Sequence, residues 1–150
     1  MPLFGEQDRE KIGELLGELE NPVRLLLFTI PQTGLIVPGR ATCETCEDTQ
    51  KLLEELCELS ELLSLETHHF EQERDVAARY GVERVPAVLV LGPEDGRVRY
   101  SGAPFGHEFA LLLQDIRAAS SGKTGLAQET REALAAIPEP INIQVFVTPT

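Results

Sequence analysis

Cys43 and Cys46 stand three positions apart in the stretch RATCETCEDTQKLLEELCEL, which runs from Arg40 to Leu59. Cysteines at that spacing admit three chemistries: half of a zinc site, a redox-active dithiol, or two inert thiols near a helix end. Glu44 and Thr45 lie between them, Glu47 and Asp48 follow, and a Leu/Glu-periodic run comes next. Thr42 is a good N-cap residue. It would place Cys43 in the first helical turn, where unsatisfied N–H groups and the helix dipole favour a thiolate. The thiolate is the form that attacks a disulfide. Cys46, a turn deeper, would be more shielded and suited to resolving a mixed disulfide. The acidic neighbours act in the opposite sense, because carboxylates disfavour a nearby thiolate. Together these effects predict a reducing or isomerising poise rather than a strongly oxidising one.

Other chemistry-bearing residues are less organised. Cys57 falls on nearly the same helix face as Cys46 but about 16 Å further along, beyond the reach of a disulfide. It is read as a small apolar residue. His68 and His69 are neighbours in an expected strand, so alternation sends them to opposite faces and at most one could join a zinc site. They are read as polar residues near a strand end, and no metal site is expected. His107 follows Gly106 at a helix start, where capping or packing accounts for it. The glycines form no phosphate-binding loop and no Ser/His/Asp hydrolase pattern is present, so no cofactor is implied.

The positioning elements follow from composition and periodicity. A chain of 150 residues with 42% hydrophobic content can bury one sizeable core. Its formal net charge of −12 argues against nucleic acid and anionic membrane as partners. No apolar run approaches the roughly 20 residues of a membrane span. MPLFGEQDRE lacks the basic and apolar regions of a signal peptide, so the expected location is cytoplasmic. Three cysteines do not make a secreted disulfide framework, and a CxxC in a reducing compartment is more often catalytic or metal-binding than structural.

Residues 7–20 carry apolar side chains at helical spacing and stop at Asn21-Pro22. VRLLLFTI, Val23 to Ile30, is a continuous apolar run, the pattern of a strand buried on both faces. After a Pro/Gly-rich loop comes the cysteine-bearing helix, then LSLETHHF as a second strand. EQERDVAARYG is a helix closed by Gly81 in the left-handed C-terminal position. VPAVLVL and RVRYSG flank GPEDG as a hairpin. HEFALLLQDIRAA is a helix, SSGKTG a joint, LAQETREALAAI a further helix and INIQVFV a last strand. The first strand pair must be parallel, since a helix connects it, and the hairpin antiparallel.

That order, with a CxxC where the first strand feeds its helix, resembles a thioredoxin or glutaredoxin unit. In such proteins the X-Pro bond before the third strand is cis and faces the CxxC. The resemblance therefore implies that Val85-Pro86 is cis and that Val85 offers its backbone to an extended substrate segment beside Cys43. VRLLLFT, CETC, RYGVERVPAVLV, GRVRYSGAPFGHEFALLLQDI and VFVTPT carry a more specific likeness. On them the chain resembles the N-terminal half of the two-unit protein disulfide oxidoreductases of thermophiles. The implied fold is α/β: a thioredoxin-like, glutaredoxin-type mixed four-stranded sheet flanked by helices, with an extra N-terminal helix and a C-terminal helix plus strand. The implied organisation is a CxxC unit over 1–119, then linker, helix and first strand of a second, truncated unit over 120–150. The implied activity is thiol–disulfide exchange, with Cys43 as nucleophile, Cys46 as resolving thiol and Val85 and Pro86 as substrate-binding residues. The implied partners are protein dithiol or disulfide substrates and a thioredoxin-reductase-like electron donor. The segment between Ile30 and Cys43 is longer than usual in the family, and GLIVPGRA is expected to form a flap over the dithiol. The competing reading is an interaction or dimerisation module with an idle dithiol, in which the terminal apolar strand pairs with a second copy.

Overall fold

The side chains of Val23–Thr29 divide between two apolar layers, which is why this run has no polar face. In a computed structural model, which describes residues 2–31, 42–93 and 97–146, these residues form the central strand β1. Helix α1 (Glu6–Leu16) precedes it, and α2 (Cys46–Cys57), β2 (Leu63–His69), α3 (Arg74–Arg79), β3 (Ala87–Leu91) and β4 (Arg97–Ser101) follow. Helices α4 (His107–Ser121) and α5 (Gln128–Ala135) complete the order. The sheet runs β2-β1-β3-β4. β1 is parallel to β2, while β3 is antiparallel to both β1 and β4. This is the expected thioredoxin-like mixed four-stranded sheet flanked by helices.

Strand alternation builds the two cores. Val23, Leu25 and Leu27 of β1 join Val88 and Val90 of β3 against Leu16, Leu53, Leu56, Leu112 and Ile116 of the helices α1, α2 and α4. Leu26 and Phe28 join Ala87 and Leu89 against Ala77 of α3 and Val82. Each fully buried Leu or Phe contributes about 1.5–3 kcal/mol relative to exposure, so the sheet is held from both sides.

Helix ends follow local chemistry. Gly81 has φ of +65° directly after the Tyr80 cap of α3, the left-handed position anticipated for it. At Gly92 a Cβ would meet the carbonyl oxygen of Ala119 at 2.1 Å, so glycine lets the end of β3 run against α4. The Ser120 hydroxyl accepts from the N–H groups of Glu20 and Asn21, both at 2.9 Å, and donates to the Asn21 carbonyl at 2.7 Å. These bonds fasten the end of α4 to the turn before β1.

One expectation meets a different outcome at the carboxyl end. Residues 141–146, expected to begin a last strand, are in no strand. A strand needs a neighbour to satisfy its N–H and C=O groups, and the sheet's ladders are formed by β1 to β4 alone among the described residues. The side chains there face solvent, Ile143 at 81% and Phe146 at 89% exposure, and α5 buries no residue. The flap expected of GLIVPGRA, residues 34–41, lies outside the described residues.

Candidate active site at the carboxyl end of the parallel strands

Because α2 connects two parallel strands, it runs back against them, and its first turn lies where β1 and β2 end. The antiparallel partner β3 begins at that same end, since Phe28 of β1 pairs with Ala87. The sheet therefore brings the CxxC and the Val85-Pro86 step to one edge of the molecule. Cys43 and Cys46 are joined in a disulfide whose Cα atoms are 5.5 Å apart. The Val85–Pro86 peptide bond is cis, as the resemblance implied.

The start of α2 differs from expectation. Thr42 is not its cap; the helix begins at Cys46 and Thr45 occupies the cap position. The deciding contacts belong to Thr49, whose N–H donates to the Thr45 carbonyl at 2.9 Å and whose hydroxyl donates to it at 2.7 Å. Thr45 makes no side-chain capping bond; the two hydrogen bonds from Thr49 to its backbone carbonyl mark the boundary. Cys43 thus precedes the helix, and Cys46, not Cys43, sits in the first helical turn. Cys46 is also the more shielded of the pair, 1% exposed against 8% for Cys43. It opens a stripe of Cys46, Thr49, Leu53 and Leu56, all buried and spaced to face the sheet.

The surrounding carboxylates are not equivalent. Glu47 bonds Lys51 one turn on at 2.6 Å. That hydrogen bond, and then the ammonium charge, hold the Glu47 carboxyl below its ordinary pKa and push Lys51 above its own. Half of this acidic pair is therefore charge-compensated, while Glu44 and Asp48 are exposed.

Around the proline, the Gly102 N–H donates to the Pro86 carbonyl at 2.9 Å and ties the turn after β4 to the cis step. Pro86 is buried and Val85 half-buried. Among the described residues, none hydrogen-bonds the N–H or C=O of Val85. Sequence reasoning did not find the Gly102 tie, because nothing in GAPF signals a contact with a residue in another strand.

The remaining candidates separate. Cys57 closes α2 at the edge of the core, and burial, with a smaller contribution from Glu54, pushes its thiol up to about 11. His68 and His69 do face opposite ways. His68 stacks on Phe28 with ring centroids 5.0 Å apart, and its Nδ1 lies 2.7 Å from Glu73 and its Nε2 3.0 Å from Glu66. His69 lies on the α2 side, with Nδ1 buried and no hydrogen-bond partner among the described residues. His107 starts α4 and is exposed. No described helix is long and apolar enough to cross a membrane.

Comparison with known proteins places this arrangement. The thioredoxin domain family matches residues 36–114. A protein disulfide oxidoreductase from Aeropyrum pernix superposes with a TM-score of 0.73 at 35% identity, over 88% of this chain and 54% of that one. The alkylhydroperoxide reductase AhpF of Enterococcus faecalis gives 0.74 at 26% identity, over 90% and 61%. Its NTD_N/C domain, solved separately, gives 0.74 at 25% identity, over 91% and 62%. The chain thus spans between about half and three fifths of the length of these structures. No curated protein matches it by sequence.

Proposed function

The chain belongs to the thioredoxin domain family, and we propose that it exchanges disulfides with protein substrates through Cys43-Glu44-Thr45-Cys46. The observation that carries this reading is the Cys43–Cys46 disulfide at the sheet end where the cis Val85–Pro86 step begins β3. Cys43, the more accessible thiol and the one ahead of the helix, is the nucleophile. Its thiolate attacks a substrate disulfide and releases one substrate thiolate. Cys46 then attacks Cys43 Sγ, releases the second substrate thiolate and closes the intramolecular disulfide. Val85 supplies backbone N–H and C=O groups for an extended substrate segment, with Pro86 setting their direction. A thioredoxin-reductase-like donor returns two electrons to the pair.

Insulin disulfide reduction driven by dithiothreitol tests the reading. The wild type should accelerate precipitation, Cys46→Ser should trap a mixed disulfide, and Cys43→Ser should trap none. Equal trapping by both variants would remove the role assignment.

The exposed apolar side chains of 141–146 favour a second reading for the tail. We propose that 120–150 is the linker, helix and opening strand of a second unit, and that when isolated the strand pairs with another copy. Light scattering that gives a strict monomer at all concentrations would discard the pairing.

A further inference from the structure

One buried group at this end of the sheet has no role in the exchange just described. His69 is paired in register with Thr29, the last residue of β1. Its neighbour His68 stacks on Phe28 on the α3 side, so strand alternation turns His69 to the α2 side. On that side the stripe Cys46, Thr49, Leu53, Leu56 descends the sheet, and Leu53 and Leu56 share a core with Leu63 at the start of β2. From Leu56 up to Cys46 the helix rises about 15 Å. From Leu63 up to His69 the strand rises about 20 Å. Both therefore reach the same end on the same side. There His69 holds a buried Nδ1 without a hydrogen-bond partner among the described residues. A buried nitrogen that makes no hydrogen bond destabilises the fold unless it serves a purpose. On that same side and end, the resolving thiol is 1% exposed and has poor access to water as a proton acceptor.

We propose that His69 accepts the proton of the Cys46 thiol in the resolving step. This rests on the oxidoreductase reading above. In the mixed disulfide, Cys46 S–H gives its proton to the neutral imidazole and its sulfur attacks Cys43 Sγ. The Cys43–Cys46 bond forms as the Cys43–substrate bond breaks, and the substrate leaves as a thiolate that takes a proton from solvent. The dithiol is oxidised by two electrons and the substrate disulfide is reduced by two. On re-reduction the imidazolium returns the proton to Cys46.

The charges around His69 suit a proton acceptor. Glu73 accepts the His69 backbone N–H at 2.8 Å and bonds His68 across the strand. The turn after β2 adds the half-buried Glu71. Strand β1 contributes Thr29, which does not titrate.

The test is a single-turnover reaction of the reduced full chain with a peptide disulfide, followed from pH 5.5 to 9. His69→Gln should leave formation of the mixed disulfide unchanged and slow its resolution about 10²-fold at neutral pH. The deficit should shrink towards pH 9, where hydroxide takes the proton. A His69→Gln profile parallel to wild type overturns the proposal and leaves the oxidoreductase reading standing. Failure of the wild type to react, with no trapping by Cys46→Ser, overturns both. Should His69→Gln not fold, 15N NMR of the wild-type imidazole decides the matter. The His69 ring 15N resonances at pH 7 must differ between disulfide and dithiol forms, and identical spectra overturn the proposal.

Discussion

The two ends of α2 hold cysteines in opposite circumstances. At its start, Cys46 is bonded to Cys43 beside the helix N-terminus, the positive end of the dipole, where β1, β2 and β3 converge. At its close, Cys57 packs on the core edge at the negative end, with Glu54 one turn back, and its thiol is pushed up to about 11. Cys57 is more exposed than Cys46, yet burial and Glu54 push its thiol up and keep it protonated. Exposure alone does not make a cysteine reactive; helix polarity and neighbouring charge decide whether the thiolate exists.

The largest effect expected from this contrast is on turnover. Cys43→Ser should reduce insulin-reduction activity to the background of dithiothreitol alone, and Cys57→Ser should leave it within about twofold, as expected for a position outside the reacting atoms. Comparable losses would dissolve the contrast. Next in size is alkylation. At pH 7 a thiol at about 11 is ionised to only about one part in 10⁴, so mass spectrometry of the reduced protein should find Cys43 modified by iodoacetamide long before Cys57. Labelling of Cys57 first would show that its environment is not the one described.

Stability offers a third comparison along the same helix. Leu53→Ala, in the buried stripe between the two ends, should cost about 2–5 kcal/mol in denaturant melts. Ile143→Ala, in the exposed tail, should cost within about 0.5 kcal/mol. A fourth, smaller effect concerns pH. Glu73 has its carboxyl pKa lowered by the hydrogen bond from His68 and then by the His69 backbone N–H. A depressed carboxylate stabilises the fold above its unfolded pKa, and that contribution vanishes as pH falls through the lower folded value. Glu73→Gln should therefore lower the melting temperature at pH 6 and converge with wild type in acid. A constant difference down to pH 2 would assign the effect to packing.

Much of this was legible along the chain. The continuous apolar run of β1 announced a strand buried on both faces, and LSLETHHF, GPEDG and Gly81 marked β2, the hairpin and the end of α3. CETC stood out by residue type and spacing, and the resemblance to thioredoxin-like units pointed to Val85-Pro86. Less was legible where two equivalent choices competed: Thr42 and Thr45 both resemble caps, and only the bonds from Thr49 separate them. INIQVFV has the composition of a strand, but composition cannot supply the neighbour that a strand requires.

By itself, then, the sequence determined the order of elements from α1 to α5, their buried faces and the cysteine pair that forms the disulfide, because periodicity, spacing and turn chemistry act over a few residues. Only the tertiary structure decided that Cys46 opens the helix, that Gly102 secures Pro86, and that His69 Nδ1 is buried with no hydrogen-bond partner among the described residues. Those facts depend on strand register and on which ends of the sheet converge, and no short-range pattern encodes them.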